Sequence, residues 1–198
     1  MHHQLGRGGL NDALAALGEL LDARGLHFEL VLIGGASLLL RGVITRPTKD
    51  VDVLGAREAS GKIVRLEALP EALVRAVADV GLTYGLAPDW LNLGPASLLD
   101  LGLPDGFDDR LEAKRSGGLV AWVAGPFDLA CFKLYAAADR WPARDRHIDD
   151  LAALAPTPDE LLAAARWTRT HDLSPAFAEN LKAVLRFLGV EDPDARHR

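Results

Sequence analysis

The sequence predicts an α+β protein, with a mixed sheet-and-helix lobe over residues 1–125 followed by an all-helical lobe over residues 126–198. Three observations carry this. "HFELVLI" (27–33) is a nearly continuous apolar run that turns at Gly34-Gly35 straight into "ASLLLRG", a strand feeding a short helix. "KDVDVL" (49–54) and "GGLVAWVAG" (117–125) read as further strands. From Pro126 onward the apolar spacing becomes helical and stays so.

The remaining elements follow in chain order. Asn11 can cap a first helix, with Leu14, Leu17, Leu20 and Leu21 on one face and Gly25 as its stop. Residues 69–81 read as an amphipathic helix ending at Gly81. Residues 82–118, rich in Gly, Pro and Asp, give no clear element. In the second lobe, "PFDLACFKLYAAADRW" and "RDRHIDDLAAL" are helical. Thr157-Pro158-Asp159-Glu160 is a complete helix start, and Ser174-Pro175 opens the last helix. No repeat and no low-complexity linker interrupts the chain.

Composition narrows the function. The 198 residues carry a net charge of −6 and one cysteine, Cys131. A lone cysteine excludes an internal disulfide framework and a cysteine zinc knuckle. No apolar run reaches the roughly 20 residues of a membrane span, and "MHHQLGRGG" has no signal-peptide core, so the expectation is a cytoplasmic protein. A nucleic-acid partner would have to meet a local basic patch, since the overall sign is wrong for one. Arg110, Lys114 and Arg115 form one such segment; Arg140, Arg144, Arg146 and His147 form another. On composition alone, solvated surface is the better reading of both. Trp90, Trp122, Trp141 and Trp167 read as packing groups, with Trp141, beside the second arginine run, kept as a nucleic-acid contact.

The chemistry-bearing stretch is "TRPTKDVDVLG" (45–55). Strand alternation would set Arg46, Thr48, Asp50 and Asp52 on one face, opposite Lys49, Val51 and Val53. Asp50 and Asp52 would then stand about 6.6–6.8 Å apart at Cα, a spacing from which carboxylates converge on a pair of divalent cations about 3.5–4 Å apart, the arrangement used for in-line displacement at phosphorus. Oxygen ligands suit Mg²⁺, which keeps waters and takes further ligands from substrate phosphates. By itself, D-x-D also arises on the solvent face of an edge strand. The glycine turn makes the difference: Gly34-Gly35 lies between a buried strand and a helix N-terminus, where backbone N–H groups favour phosphate, and Ser37 adds a hydroxyl in the first turn.

"IGGASLLLRGVITRPTKDVDV" resembles the signature of the nucleotidyltransferase superfamily with the DNA polymerase β-type fold. More narrowly, it resembles the branch with a G-G turn and an R-x-T-x-D-x-D strand, matched here by Arg46, Thr48, Asp50 and Asp52. A second block, "DLACFKLYAAADRWPARDRHIDDLAAL" (128–154), is similar to AbiEii-like toxins, in which a helical Lys precedes an Arg and a D-L-x-x-L ending; these are Lys133, Arg140 and Asp150–Leu154. Toxins of MenT type belong to this branch. The resemblance implies a mixed sheet with flanking helices and a helical lobe closing the cleft. It implies transfer of a nucleoside monophosphate from an NTP to a hydroxyl, with Asp50 and Asp52 on Mg²⁺. Gly34, Gly35 and Ser37 would hold phosphates, and Lys133 would neutralise the triphosphate. The implied acceptor is the 3′ end of tRNA, and the implied protein partner a cognate antitoxin.

Superfamily members often carry a third carboxylate on a later strand, and "GLVAWVAG" has none. Asp100 and Asp150 are the alternatives, with Asp149 ranked below, and the branch pattern favours Asp150. The bland readings are an exposed helical lysine for Lys133 and a charge favourable to the helix dipole for Asp150. Two rival functions stay open. One is the same transfer to a protein side chain or a small hydroxylated molecule; the other is a nucleotide-binding antitoxin module without turnover.

Overall fold

A computed structural model describes residues 3–190. The chain forms two compact units, Met1–Gly125 and Pro126–Arg198. The expected α+β class holds: a mixed open sheet with flanking helices, and helices at the C-terminal end.

The first unit contains α1 (Arg7–Ala23), β1 (Phe28–Ile33), α2 (Gly34–Arg41), β2 (Val51–Arg57), β3 (Ile63–Val64), α3 (Glu71–Tyr84), β4 (Leu91–Asn92), β5 (Glu112–Ser116) and β6 (Leu119–Val123). Two 3₁₀ turns, Ala96–Leu101 and Phe107–Arg110, lie between β4 and β5. The sheet order is β3-β2-β1-β6-β5, with β4 added on β2. β1 runs antiparallel to β2 and parallel to β6, which explains its apolar sequence: Leu30, Val31, Leu32 and Ile33 are all buried in the sheet centre.

Several boundaries differ from the expected ones. α1 starts at Arg7 after Gly6, so Asn11 lies inside the helix and caps nothing. α3 runs past Gly81 to Tyr84, and Gly85 in the left-handed region (φ +67°) ends it. Gly81 is instead a close-packing position, since a Cβ there would sit 3.2 Å from Trp90 Cδ1. Trp90 itself is fully buried, with its indole N–H donating to the Val77 carbonyl at 2.9 Å. Gly18 of α1 is required for the same reason: its carbonyl accepts from Gly118 N at 2.8 Å, and a Cβ there would collide with the Ser116 backbone in the β5–β6 turn.

The second unit holds α4 (Pro126–Asp139), α5 (Arg146–Leu154), α6 (Pro158–His171) and α7 (Pro175–Phe187) around a core that includes Leu134, Ile148, Leu151, Leu161, Phe177 and Leu181. The two predicted helix starts are built as read. Thr157 and Glu160 exchange both capping-box bonds (2.8 and 3.2 Å), and Ser174 Oγ accepts from Phe177 N at 3.2 Å. Among the described residues no helix is long and apolar enough to cross a membrane.

Candidate functional site

In the first unit the predicted glycine turn and the predicted D-x-D meet. β1 ends at Ile33, whose register partner on β2 is Asp52. The chain then turns at Gly34, which has φ +73°, a value that suits glycine. A Cβ on Gly34 would run into Asp52 Oδ2 and come within 2.9 Å of its Cγ. Glycine is therefore needed twice, for the backbone angle and for the room taken by the carboxylate. Gly35 stands against Thr48, with 3.4 Å from a built Cβ to Thr48 Oγ1.

The approach to β2 corrects the simple alternation expected for residues 46–52. The strand starts at Val51, so Asp52 lies in it and Asp50 at its threshold, both half-buried. Arg46 and Thr48 precede it. Thr48 is buried and bridges Leu5 through both backbone groups (2.7 and 2.9 Å). Its hydroxyl donates to the Asp50 carbonyl at 3.0 Å, so Thr48 fixes the backbone that carries Asp50. Ser37 is fully buried inside α2, its Oγ without a hydrogen-bond partner, so in this conformation the hydroxyl is out of reach of a phosphate arriving from solvent.

The strand chemistry that sequence reasoning missed lies in residues 82–118. β5, "EAKRS", is a charged edge strand with no apolar alternation to signal it. Its Glu112 pairs with Arg41 (3.2 Å) and Lys114 (3.3 Å). Asp100 is held by Arg65. β4 is only two residues long, yet it runs parallel beside β2 and sets Asn92 in register with Asp52. Among the described residues no group of three or more His, Cys, Asp or Glu is poised to hold a metal. At the turn it is the Asp52 carboxylate that fills the space beside Gly34, and Asp50 stands two residues before it at the threshold of β2. Carboxylates at these two positions fit a hard cation that keeps its waters and shares substrate phosphates.

In the second unit the structure joins two residues that the sequence pattern marks separately. Lys133 on α4 and Asp150 on α5 form an ion pair, Nζ to Oδ2 2.7 Å. Lys133 is 5 % exposed and Asp150 fully buried, which sets aside both bland readings, the exposed lysine and the dipole charge at a helix end. His147, one turn before Asp150, is buried as well, and neither ring nitrogen has a hydrogen-bond partner. Burial, then repulsion from Lys133, lowers its pKa to about 4, against the opposing attraction of Asp145. Asp145 caps α5 by accepting from His147 N at 2.9 Å. Burial pushes the Asp145 carboxyl up, but that backbone bond, His147 and Arg140 together hold it below the usual range.

The arginine run is partly committed within its own unit. Arg140 pairs with Asp145 at 3.3 Å. The Arg144 guanidinium lies 4.3 Å over the Phe187 ring and 6.0 Å from that of Trp141. Arg146 is exposed at the start of α5.

No curated protein and no solved structure matches the chain significantly. A family model described as "Nucleotidyltransferase of unknown function (DUF6036)" matches residues 10–153, a span that takes in the glycine turn, both aspartates of the D-x-D, Lys133 and Asp150, and the chain belongs to that family.

Proposed function

We propose that this nucleotidyltransferase moves a nucleoside monophosphate from an NTP to a hydroxyl, releasing pyrophosphate, and that it does so as the toxin of a toxin–antitoxin pair with the 3′ end of tRNA as acceptor. The observation that carries the transfer chemistry is the fit of the Asp52 carboxylate into the space left by Gly34. It sets a cation-holding acid against backbone N–H groups at a helix start, the combination a metal-bound triphosphate needs.

Asp50 and Asp52 hold Mg²⁺ in this reading, and Thr48 keeps the Asp50 backbone in place. Bound there, Mg²⁺ would supply Lewis-acid polarisation of the phosphoryl oxygens. The N–H groups at Gly34 and Gly35 take phosphate oxygens. Arg46 is assigned to the substrate. The resemblance of residues 128–154 assigns Lys133 to the negative charge of the triphosphate, and Asp150 would orient it through their ion pair. The toxin role, the tRNA acceptor and the antitoxin partner rest on the resemblance of residues 128–154 to AbiEii-like toxins, and the Arg140, Arg144 and Arg146 run supports an RNA contact.

The net charge of −6 favours a second acceptor, a protein side chain or small hydroxylated molecule. One assay separates them: purified protein, Mg²⁺ and each of the four labelled NTPs in turn, with total tRNA, protein extract or small-molecule extract. Label should enter the tRNA fraction with one NTP, and Asp52→Asn should abolish it with an unchanged melting curve. Label in another fraction overturns the tRNA acceptor. NTP binding with no pyrophosphate release overturns the transferase and leaves a nucleotide-binding module.

A further inference from the structure

We infer that Asn92 holds the site at two carboxylates, so that the divalent cation is bound jointly with the nucleotide's phosphates and not by the protein alone. The inference rests on the reading of Asp50 and Asp52 given above and extends it to how the metal arrives.

The parallel pairing of β4 with β2 matches Val51 with Leu91 and Asp52 with Asn92. Paired strands lie about 4.7–4.9 Å apart, and register partners send their side chains to the same face. The Asn92 side chain is therefore the strand neighbour of the Asp52 carboxylate. It is also well fixed. Leu91 and Trp90 are buried, Val51 N donates to the Trp90 carbonyl at 2.6 Å, and Asn92 Oδ1 accepts from Gly94 N at 2.8 Å. Its oxygen accepts from Gly94, and the amide presents two N–H donors that suit a carboxylate or phosphate oxygen; whichever atom faces the site, the side chain brings no negative charge.

A carboxylate at this position would be a third negative charge beside Asp52. A fixed charge about 5 Å from a divalent cation changes its affinity by tenfold or more even with strong solvent screening. Asn92 withholds that charge. The remaining two carboxylates leave the cation dependent on triphosphate oxygens, which is how Mg²⁺ is commonly held. Asn92 acts here as a positioning residue that sets the order of binding.

The test is Mn²⁺ binding to the full chain, read by electron paramagnetic resonance, with and without each of the four non-hydrolysable α,β-methylene NTP analogues. Wild-type protein should bind Mn²⁺ weakly alone, and at least tenfold more tightly with the preferred analogue. Asn92→Asp, isosteric with the native residue, should bind Mn²⁺ alone at least tenfold more tightly than wild type. Asn92→Glu should tighten it too, and neutral Asn92→Ser should not. Wild-type affinity in both acidic variants, with Asp52→Asn still weakening binding, overturns the role of Asn92 and leaves the metal reading intact. Tight Mn²⁺ binding by the wild type without nucleotide also overturns the role of Asn92. Undiminished binding by Asp52→Asn overturns the metal reading itself.

Discussion

Lys133 Nζ and Asp150 Oδ2 stand 2.7 Å apart with their side chains 7 % and 1 % exposed, a buried ion pair joining α4 to α5. Such a pair gains little net stability, because desolvating both charges offsets their attraction, but breaking it strands a charge in the interior. Lys133→Met and Asp150→Leu should each cost about 3–5 kcal/mol in urea unfolding, and the double variant markedly less than their sum. Additive losses would mean that the two charges do not compensate each other. Lys133→Arg keeps the charge, so a loss of transfer in that variant without unfolding marks a need for the ammonium itself.

Gly34 gives a second measurable contrast. Gly34 and Gly25 have similar backbone angles, φ +73° and +65°, but a Cβ on Gly25 meets nothing within 4 Å, whereas one on Gly34 meets Asp52. Gly25→Ala should cost the backbone strain alone, about 1–2 kcal/mol, and keep transfer activity. Gly34→Ala carries that strain and also displaces the Asp52 carboxylate. It should melt lower than Gly25→Ala and lose transfer. Equal activity in the two variants would show that the position of Asp52 is not critical.

The same contrast explains what is legible in the sequence. Gly34-Gly35 and Asp50-x-Asp52 are local signals, a turn needing glycine and a short polar face, and the strand β1 that precedes them is apolar enough to read directly. Their contact across β1 and β2 then follows from antiparallel pairing. Thr157 and Ser174 are readable because capping is decided within four residues. Asn92 is not readable, since two strand residues carry no period and its importance comes from a partner 40 positions earlier. β5 stays hidden because an edge strand has little need of an apolar alternation. Gly81 misleads for a related reason: close packing on Trp90 and a helix stop both call for glycine, and only the fold distinguishes them.

The arginine run predicts a graded response to RNA. Arg140 would trade its bond with Asp145, and Arg144 its stacking on Phe187, for a phosphate oxygen, whereas Arg146 stands exposed at the start of α5. Removing one arginine–phosphate pairing should flatten the slope of log affinity against log salt by about 0.7–0.9. In tRNA anisotropy titrations Arg146→Ala should lower both affinity and slope, with smaller effects for Arg140→Ala. A triple Arg140, Arg144, Arg146→Ala variant with the wild-type slope would remove this face from RNA binding.

His147 makes the second unit sensitive to acid. Its folded pKa of about 4 lies below the ordinary histidine value of 6.5, because burial and the neighbouring Lys133 disfavour the imidazolium. The unfolded chain therefore takes up a proton at this residue first as the pH falls. By linkage, the stability contributed by keeping the ring neutral is full above pH 6.5 and is lost progressively between pH 6.5 and about 4. His147→Gln cannot take up that proton, so over this window its urea midpoint should fall less steeply than the wild-type midpoint. Carboxylates away from His147 titrate alike in both proteins, and the Asp145 carboxyl, held below its usual range, takes up its proton below this window, which leaves the difference in slope to His147. Parallel midpoints from pH 7 to pH 4 would mean that the ring titrates normally and is not held neutral beside the Lys133–Asp150 pair.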